Sequence, residues 1–286
     1  MNILKKTYFP DILILSVMLA GAAFIRFWAA PLSAGPDVAQ YWAFARQFQE
    51  HGLDFYRYAE ASGSFYPYEG WNFVYPPIWL LILRVALLAA PDSFASVAVI
   101  STDWRIAEKT PIILADLAIG LIIYRFIPGS RRKKTLFTAL WLFNPAVWYQ
   151  SAVFGQFDAI AAVFLLAAVI MLIKGKDLPA FILAGLAVMT KHHTLIAVAV
   201  MLAAWYPTVT RRRFLRGCGI LAGVAFVISL PFLVTGNFGE YARMIMFGMS
   251  GPGYQEPLSY AFNGVAALLT YLHIEYGWAL EGAFKG

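Results

Sequence analysis

The sequence predicts an all-α, polytopic membrane protein, and three observations predict it. Of its 286 residues 60% are hydrophobic and 13% charged, and the mean hydropathy is +0.66, which is more apolar surface than a soluble domain of this length can bury. Apolar runs recur along the whole chain. Between them the basic residues fall in short clusters, the pattern of cytoplasmic loops between membrane spans. The net charge of +6 would suggest nucleic acid in a soluble chain. Here it carries topology instead, and no nucleic-acid partner is expected. The single cysteine, Cys218, rules out an internal disulfide and offers no metal motif.

The first apolar run extends from about Ile12 to Ala30, behind Lys5 and Lys6. A run of about 20 residues is long enough to cross a bilayer, so it reads as a first span rather than a signal peptide. Residues 31–105 form a long first loop with juxtamembrane helices. It opens on Gly35-Pro36-Asp37, followed by Val38, Tyr41, Trp42, Ala45 and Phe48 at helical spacing. Asp37 thus stands at a helix start beside the membrane, where it is either an ordinary capping residue or an available carboxylate. Further on, Phe65 to Pro77 is dense in aromatic residues. Such rings suit an interfacial belt, and they equally suit a platform for a sugar, which has both C–H faces and hydroxyls.

The run Ile78–Ala90 is short for a span and carries Arg84 at its middle. It is expected to lie in the interface. Later spans are expected at about Ile106–Ile127, Leu136–Val153, Ala159–Ile173, Pro179–Met189, Thr194–Tyr206 and Gly217–Val234, within a bundle of about 7–9 transmembrane helices. Lys5/Lys6, Arg131–Lys134, Lys174/Lys176 and Arg211–Arg213/Arg216 then share the cytoplasmic side, and the N-terminus is cytoplasmic. The opposite side receives Asp37, Asp54, Glu69, the Gly155-Gln156-Phe157-Asp158 turn, Lys191-His192-His193, and a loop with Glu240, Arg243 and Glu256.

Lys191-His192-His193 interrupts two weak spans, either lining a wet cavity or forming an interfacial turn with a snorkelling lysine. Asp116 lies inside a span and calls for a hydrogen-bonding partner on another helix. Asn144-Pro145 is expected to kink its helix and open the bundle toward Gln156–Asp158. After Val234 comes a partial apolar stretch near Ala261–Leu272, with no full closing span, so the last helix is peripheral or the chain is incomplete. No fixed-period repeat is present, and none of the five Asn residues heads a glycosylation acceptor. That absence, with no ER-retention ending, points to a prokaryotic plasma membrane rather than the endoplasmic reticulum.

Asp37 with Gln40-Tyr41-Trp42, Tyr75-Pro76-Pro77 opening a helix, Arg105 to Asp116, Asn144-Pro145, Gly155-Gln156-Phe157-Asp158 and Lys191-His192 follow one another in an order that resembles the GT-C membrane glycosyltransferases. The likeness spans about residues 10–265 and rests on the ordered combination, since each motif is short. It is nearest to the dolichyl-phosphate-glucose-dependent glucosyltransferases and related prokaryotic polyprenyl-phosphate mannosyltransferases. Asp158 stands where the eukaryotic glucosyltransferases carry Asn, and typical members have a longer C-terminal half.

The resemblance implies a single transmembrane glycosyltransferase module over residues 1–286. It also implies inverting transfer of a hexose from a polyprenyl-phosphate-sugar donor to a lipid-linked or glycan acceptor hydroxyl outside the cytoplasm. Asp37 matches the family's catalytic base. Such chemistry needs cations for the leaving phosphate. Lys191 and Arg243 are favoured because they stay charged at any working pH, and His192 is a further donor-binding candidate. Gln156 and Asp158 are assigned to sugar hydroxyls, although Asp158 equally suits a turn cap. Gln40, Tyr41 and Tyr75 join them as sugar or acceptor contacts. No tightly bound cofactor and no divalent metal are expected. The rivals are a transporter or lipid flippase using the same buried charges, and a non-catalytic subunit of a glycan-assembly complex.

Overall fold

The computed structural model describes residues 9–63, 66–235 and 238–247. Lys5, Lys6, Glu256 and the stretch near Ala261–Leu272 lie outside the described residues. Those described build eleven α-helices and no strand beyond an isolated bridge between Ala95 and Ile100. In chain order the helices are α1 (Phe9–Ala29), α2 (Pro36–His51), α3 (Pro77–Ala89), α4 (Thr102–Phe126), α5 (Arg131–Leu142), α6 (Pro145–Trp148), α7 (Asp158–Ile173), α8 (Asp177–Thr190), α9 (Thr194–Trp205), α10 (Arg211–Val234) and α11 (Phe238–Phe247). An all-α membrane protein was expected, and α1, α3, α4 and α7 to α10 fall close to the expected apolar runs.

Two of these helices, over Asp11–Ala29 and Arg211–Val234, are long and apolar enough to cross a membrane unaided. Their outer faces stay bare: Val17, Phe24 and Trp28 on α1, and Phe226, Val227 and Val234 on α10, are each more than half exposed. Apolar area of that extent is not left to water. Four further apolar helices, Pro77–Ala89, Asp158–Ile173, Asp177–Thr190 and Thr194–Thr208, are shorter. The helix expected across Leu136–Val153 is broken into pieces. Helix α5 ends at Leu142, and Asn144 caps α6 by accepting a hydrogen bond from the amide of Ala146 at 2.9 Å. Pro145 sits at the first helical position, which lacks an N–H partner anyway. A π-helical turn, Tyr149–Phe154, then ends at Gly155. What was expected as a kink is a full interruption.

Contacts at the helix ends sort the bundle into two poles. Asp11 pairs with Arg131, joining the starts of α1 and α5. The ammonium of Lys174 lies 4.4 Å from the centre of the Phe126 ring, joining the ends of α7 and α4, and Arg213 donates to Asp177 at 2.7 Å, joining the starts of α10 and α8. Every described basic cluster named above therefore lies at one pole. The other pole gathers the end of α1, all of α2, the starts of α4 and α7 and the end of α8. Helix α3 stays there as well: Trp79 at its start meets Tyr41 of α2 with ring centres 5.3 Å apart, and beyond its end the carbonyl of Ser93 accepts from Trp42 of α2 at 3.0 Å.

A buried ion pair ties the long helices together between the poles. Arg26 of α1 meets Asp116 of α4 at 3.3 Å, with 0% and 3% of their side chains exposed. The guanidinium also donates to the carbonyls of Leu142 at 2.8 Å and Ala22 at 3.3 Å, and Ser151 donates to the Asp116 carboxylate at 2.5 Å. Asp116 thus has the helix-crossing partner it was expected to need, and Arg26, the lone charge of the first span, supplies it.

Candidate functional site

The site forms where the end of α1 turns into α2. Gly35 donates its N–H to the carbonyl of Phe154 at 2.9 Å. A Cβ on Gly35 would sit 2.7 Å from that same oxygen, so only glycine lets the two segments touch. Pro36 then occupies the first helical position and Asp37 the next. The π-helical turn closes on Gly155, whose φ of +85° suits glycine, and an added Cβ there would meet Val38 at 2.4 Å. Gln156 is thereby delivered to Asp37, and its amide nitrogen donates to Asp37 Oδ2. The two residues are 119 positions apart.

Beneath them lies a floor of rings. Tyr41, Trp79 and Phe157 are buried; Trp79 stacks on Phe157 with centres 4.1 Å apart, and Tyr75 and Tyr41 meet Phe157 edge-on at 4.9 and 5.9 Å. Edge-to-face pairs of this kind contribute about 0.5–1.5 kcal/mol each beyond their buried area. Above the floor, Lys191 lies 4.7 Å from the centre of the Phe157 ring and 6.0 Å from that of Tyr75. Its ammonium donates to Asp158 Oδ1 at 2.7 Å, and His193 approaches the same oxygen at 3.7 Å. Asp37, Tyr75, Gln156, Asp158, Lys191 and His192 all keep partial exposure. The result is a polar rim over an aromatic base.

The electrostatics follow from this placement. Burial pushes the Asp37 carboxyl above the usual carboxylate range, opposed by the Gln156 hydrogen bond and the charge of Lys191. Burial, with His193 and Lys191 close by, lowers His192, which is therefore a neutral imidazole near pH 7. Its Nδ1 is buried without a hydrogen-bond partner. Burial drives the Tyr41 phenol well above its ordinary value, so it remains protonated.

The other expected site residues sit differently. Gln40 is 2% exposed and spends its whole amide on the loop before α3: it donates to the carbonyls of Tyr68 at 3.1 Å and Trp71 at 2.8 Å and accepts from the amide of Tyr68 at 3.0 Å. It shapes the loop behind Tyr41. Arg243, on α11, pairs with Glu240 at 3.0 Å and Glu60 at 3.4 Å. The link from α11 toward the site is indirect. Tyr241 packs on Tyr56 with centres 4.8 Å apart, and the Tyr56 hydroxyl donates to the carbonyl of Tyr75 at 2.9 Å.

Two residues central to the site escaped the sequence reading. Lys109, near the start of α4, is fully buried and its ammonium donates to the carbonyls of Ala30 at 3.0 Å, Val153 at 2.9 Å and Ser33. It pins the strand of chain leading to Asp37 against the turn that carries Gln156. Glu108 beside it is also fully buried, with neither carboxyl oxygen hydrogen-bonded, and its Oε2 lies 3.2 Å from where a Gly155 Cβ would stand. The signal was available, because adjacent opposite charges inside an expected span, Ile106–Ile127, are rare without purpose.

No group of three or more metal-ligating side chains occurs among the described residues. The model for glycosyltransferase family 87 matches residues 73–283. The chain belongs to glycosyltransferase family 87. This family 87 member is accordingly a membrane glycosyltransferase. The matched segment contains Tyr75, Gln156, Asp158, Lys191, His192 and Arg243, while Asp37, Gln40 and Tyr41 precede it. No curated protein and no solved structure matches the chain.

Proposed function

We propose that this family 87 protein transfers a hexose, with inversion, from a polyprenyl-phosphate-sugar donor to a hydroxyl of a lipid-linked or glycan acceptor, with Asp37 as general base. The observation that carries the reading is the convergence of Asp37, the Gln156–Asp158 turn and Lys191 on one rim from three distant parts of the chain. An acceptor hydroxyl attacks the anomeric carbon and gives its proton to Asp37, a new C–O bond forms, and the bond to phosphate breaks with its electron pair kept on the phosphate oxygen. Gln156 occupies Oδ2 of Asp37, which leaves Oδ1 for the incoming proton. Lys191, preorganised by Asp158 and the rings, neutralises the departing phosphate. Neutral His192 supplies a hydrogen bond to the same group, and Asp158, Tyr75 and Tyr41 contact the sugar or acceptor. The chemistry proceeds without a metal.

The lipid part of the donor has a place to lie. An apolar groove of about 690 Å³ runs between α3 and α4, lined by Ile78, Leu81, Val85, Ile106 and Leu114 among others. In this reading the basic pole faces the cytoplasm, the rim faces outward, α3 lies along the interface, and the bundle crosses a prokaryotic plasma membrane about 7–9 times.

The test is transfer in detergent by the full chain, offered polyprenyl-phosphate-glucose or polyprenyl-phosphate-mannose with a panel of lipid-linked and glycan acceptors. Acceptor-dependent consumption of donor that vanishes in Asp37→Asn, with folding retained, is expected. Turnover that survives Asp37→Asn removes the base assignment. No turnover with any donor from folded protein favours the transporter or non-catalytic reading.

A further inference from the structure

The pole opposite Asp37 carries a second concave feature. A pocket of about 720 Å³ lies between the starts of α8 and α10, walled by Asp177, Leu178, Thr210, Arg212, Arg213 and Arg216. Three guanidinium groups face one carboxylate there. Arg213 satisfies that carboxylate through Nε and Nη2, the latter at 2.7 Å, and stacks 5.8 Å from the centre of the Trp205 ring. Arg212 and Arg216 make no direct ion pair among the described residues, although the charge of Arg216 reaches Asp177. Two apolar side chains join the lining, Leu178, which is 52% exposed, and Ile220.

Each feature selects for part of one ligand. Two arginine forks with no direct carboxylate contact, in one concavity, match the oxygens of a phosphate better than water or a carbonyl does. Exposed Leu178 beside them, at the start of a helix pair whose α10 is long and apolar enough to cross a membrane, favours a ligand whose phosphate is continuous with hydrocarbon, and a basic pocket at the cytoplasmic ends of membrane helices is where anionic headgroups concentrate. We propose that this pocket binds the phosphodiester headgroup of an anionic membrane phospholipid. Arg212 and Arg216 hold the phosphate, Arg213 stays locked to Asp177 as the pocket wall, and the acyl chains leave over Leu178 and Ile220. The proposal is independent of the transfer chemistry at the other pole.

The full chain in mild detergent is titrated with dioleoylphosphatidylglycerol, dioleoylphosphatidylcholine or sodium phosphate, and followed by native mass spectrometry and thermal unfolding. Phosphatidylglycerol is expected to be retained and to raise the Tm, with an affinity that falls as salt rises; the other two are not. Arg212→Gln with Arg216→Gln should weaken phosphatidylglycerol about tenfold or more, with the lipid-free Tm unchanged because both side chains are exposed. Lys133→Gln with Lys134→Gln, which removes equal charge elsewhere on the same pole, should leave binding intact. Equal binding by the arginine double variant, equal loss in the lysine double variant, or the same Tm shift from phosphatidylcholine overturns the proposal. Stabilisation by phosphate alone overturns it in favour of a soluble phosphate ester.

Discussion

Lys191 and Asp158 meet at 2.7 Å between the end of α8 and the start of α7, and the pair holds the ammonium over the Phe157 ring. A cation fixed in this way needs no rearrangement when negative charge develops beside it. Lys191→Met should therefore lower kcat/KM about 10²–10³-fold. Asp158→Asn, which keeps the ammonium but loosens it, should lose less. Steady-state kinetics with the donor varied checks both, and an Asp158→Asn defect larger than that of Lys191→Met would show that Asp158 itself touches the sugar.

The pH profile of kcat/KM should have an acid limb above the usual carboxylate range, because transfer needs ionised Asp37 and burial raises that group. Gln156 and Lys191 both favour its ionised form. Gln156→Leu and Lys191→Met should each move the limb to higher pH. A limb that stays in place in both variants would remove Asp37 as the titrating group.

Stability should respond in the opposite sense. A carboxyl whose folded pKa is raised contributes stability below its unfolded pKa and loses it as pH climbs through the folded value. Asp37→Asn removes that loss, so the variant should unfold at the same or a higher temperature than the wild type at pH 7, and the difference should vanish in acid. Thermal melts at pH 4 and pH 7 decide it.

Gly155→Ala combines a left-handed backbone with a contact 2.4 Å from Val38 Cγ2. Strain of that kind costs about 1–3 kcal/mol. The variant should melt earlier and, because the turn delivers Gln156 to Asp37, should lose activity even at temperatures where it stays folded.

Arg26→Met or Asp116→Asn leaves one buried charge without its counter-ion, a loss of about 3–5 kcal/mol. The double variant should be less damaged than the two losses added together. A double-mutant cycle on unfolding in detergent reads the coupling, and strict additivity would mean the pair stabilises nothing.

By itself the sequence determined the class of the molecule and the positions of most of its helices, though not the break of the run Leu136–Val153 into separate pieces. Apolar runs report length and burial locally, and residues such as Pro36, Pro145 and Gly155 mark where helices must begin or stop. Family membership follows from residues 73–283 without any geometry. The clustering of the basic residues at one pole was legible too, because helices that alternate in direction return every second connection to the same end. Only the tertiary structure decided which polar groups meet. Gln156 reaches Asp37, Lys191 reaches Asp158, and Arg26 reaches Asp116 over separations of 119, 33 and 90 residues. It alone showed Gln40 spent on the loop at Tyr68 and Trp71, Arg243 paired with Glu60 and Glu240, and Lys109 pinning the chain around Asp37. The physical reason is that an apolar span declares itself through its own residues, whereas the partner of a buried charge is chosen by helix packing, to which neighbours in the sequence contribute little.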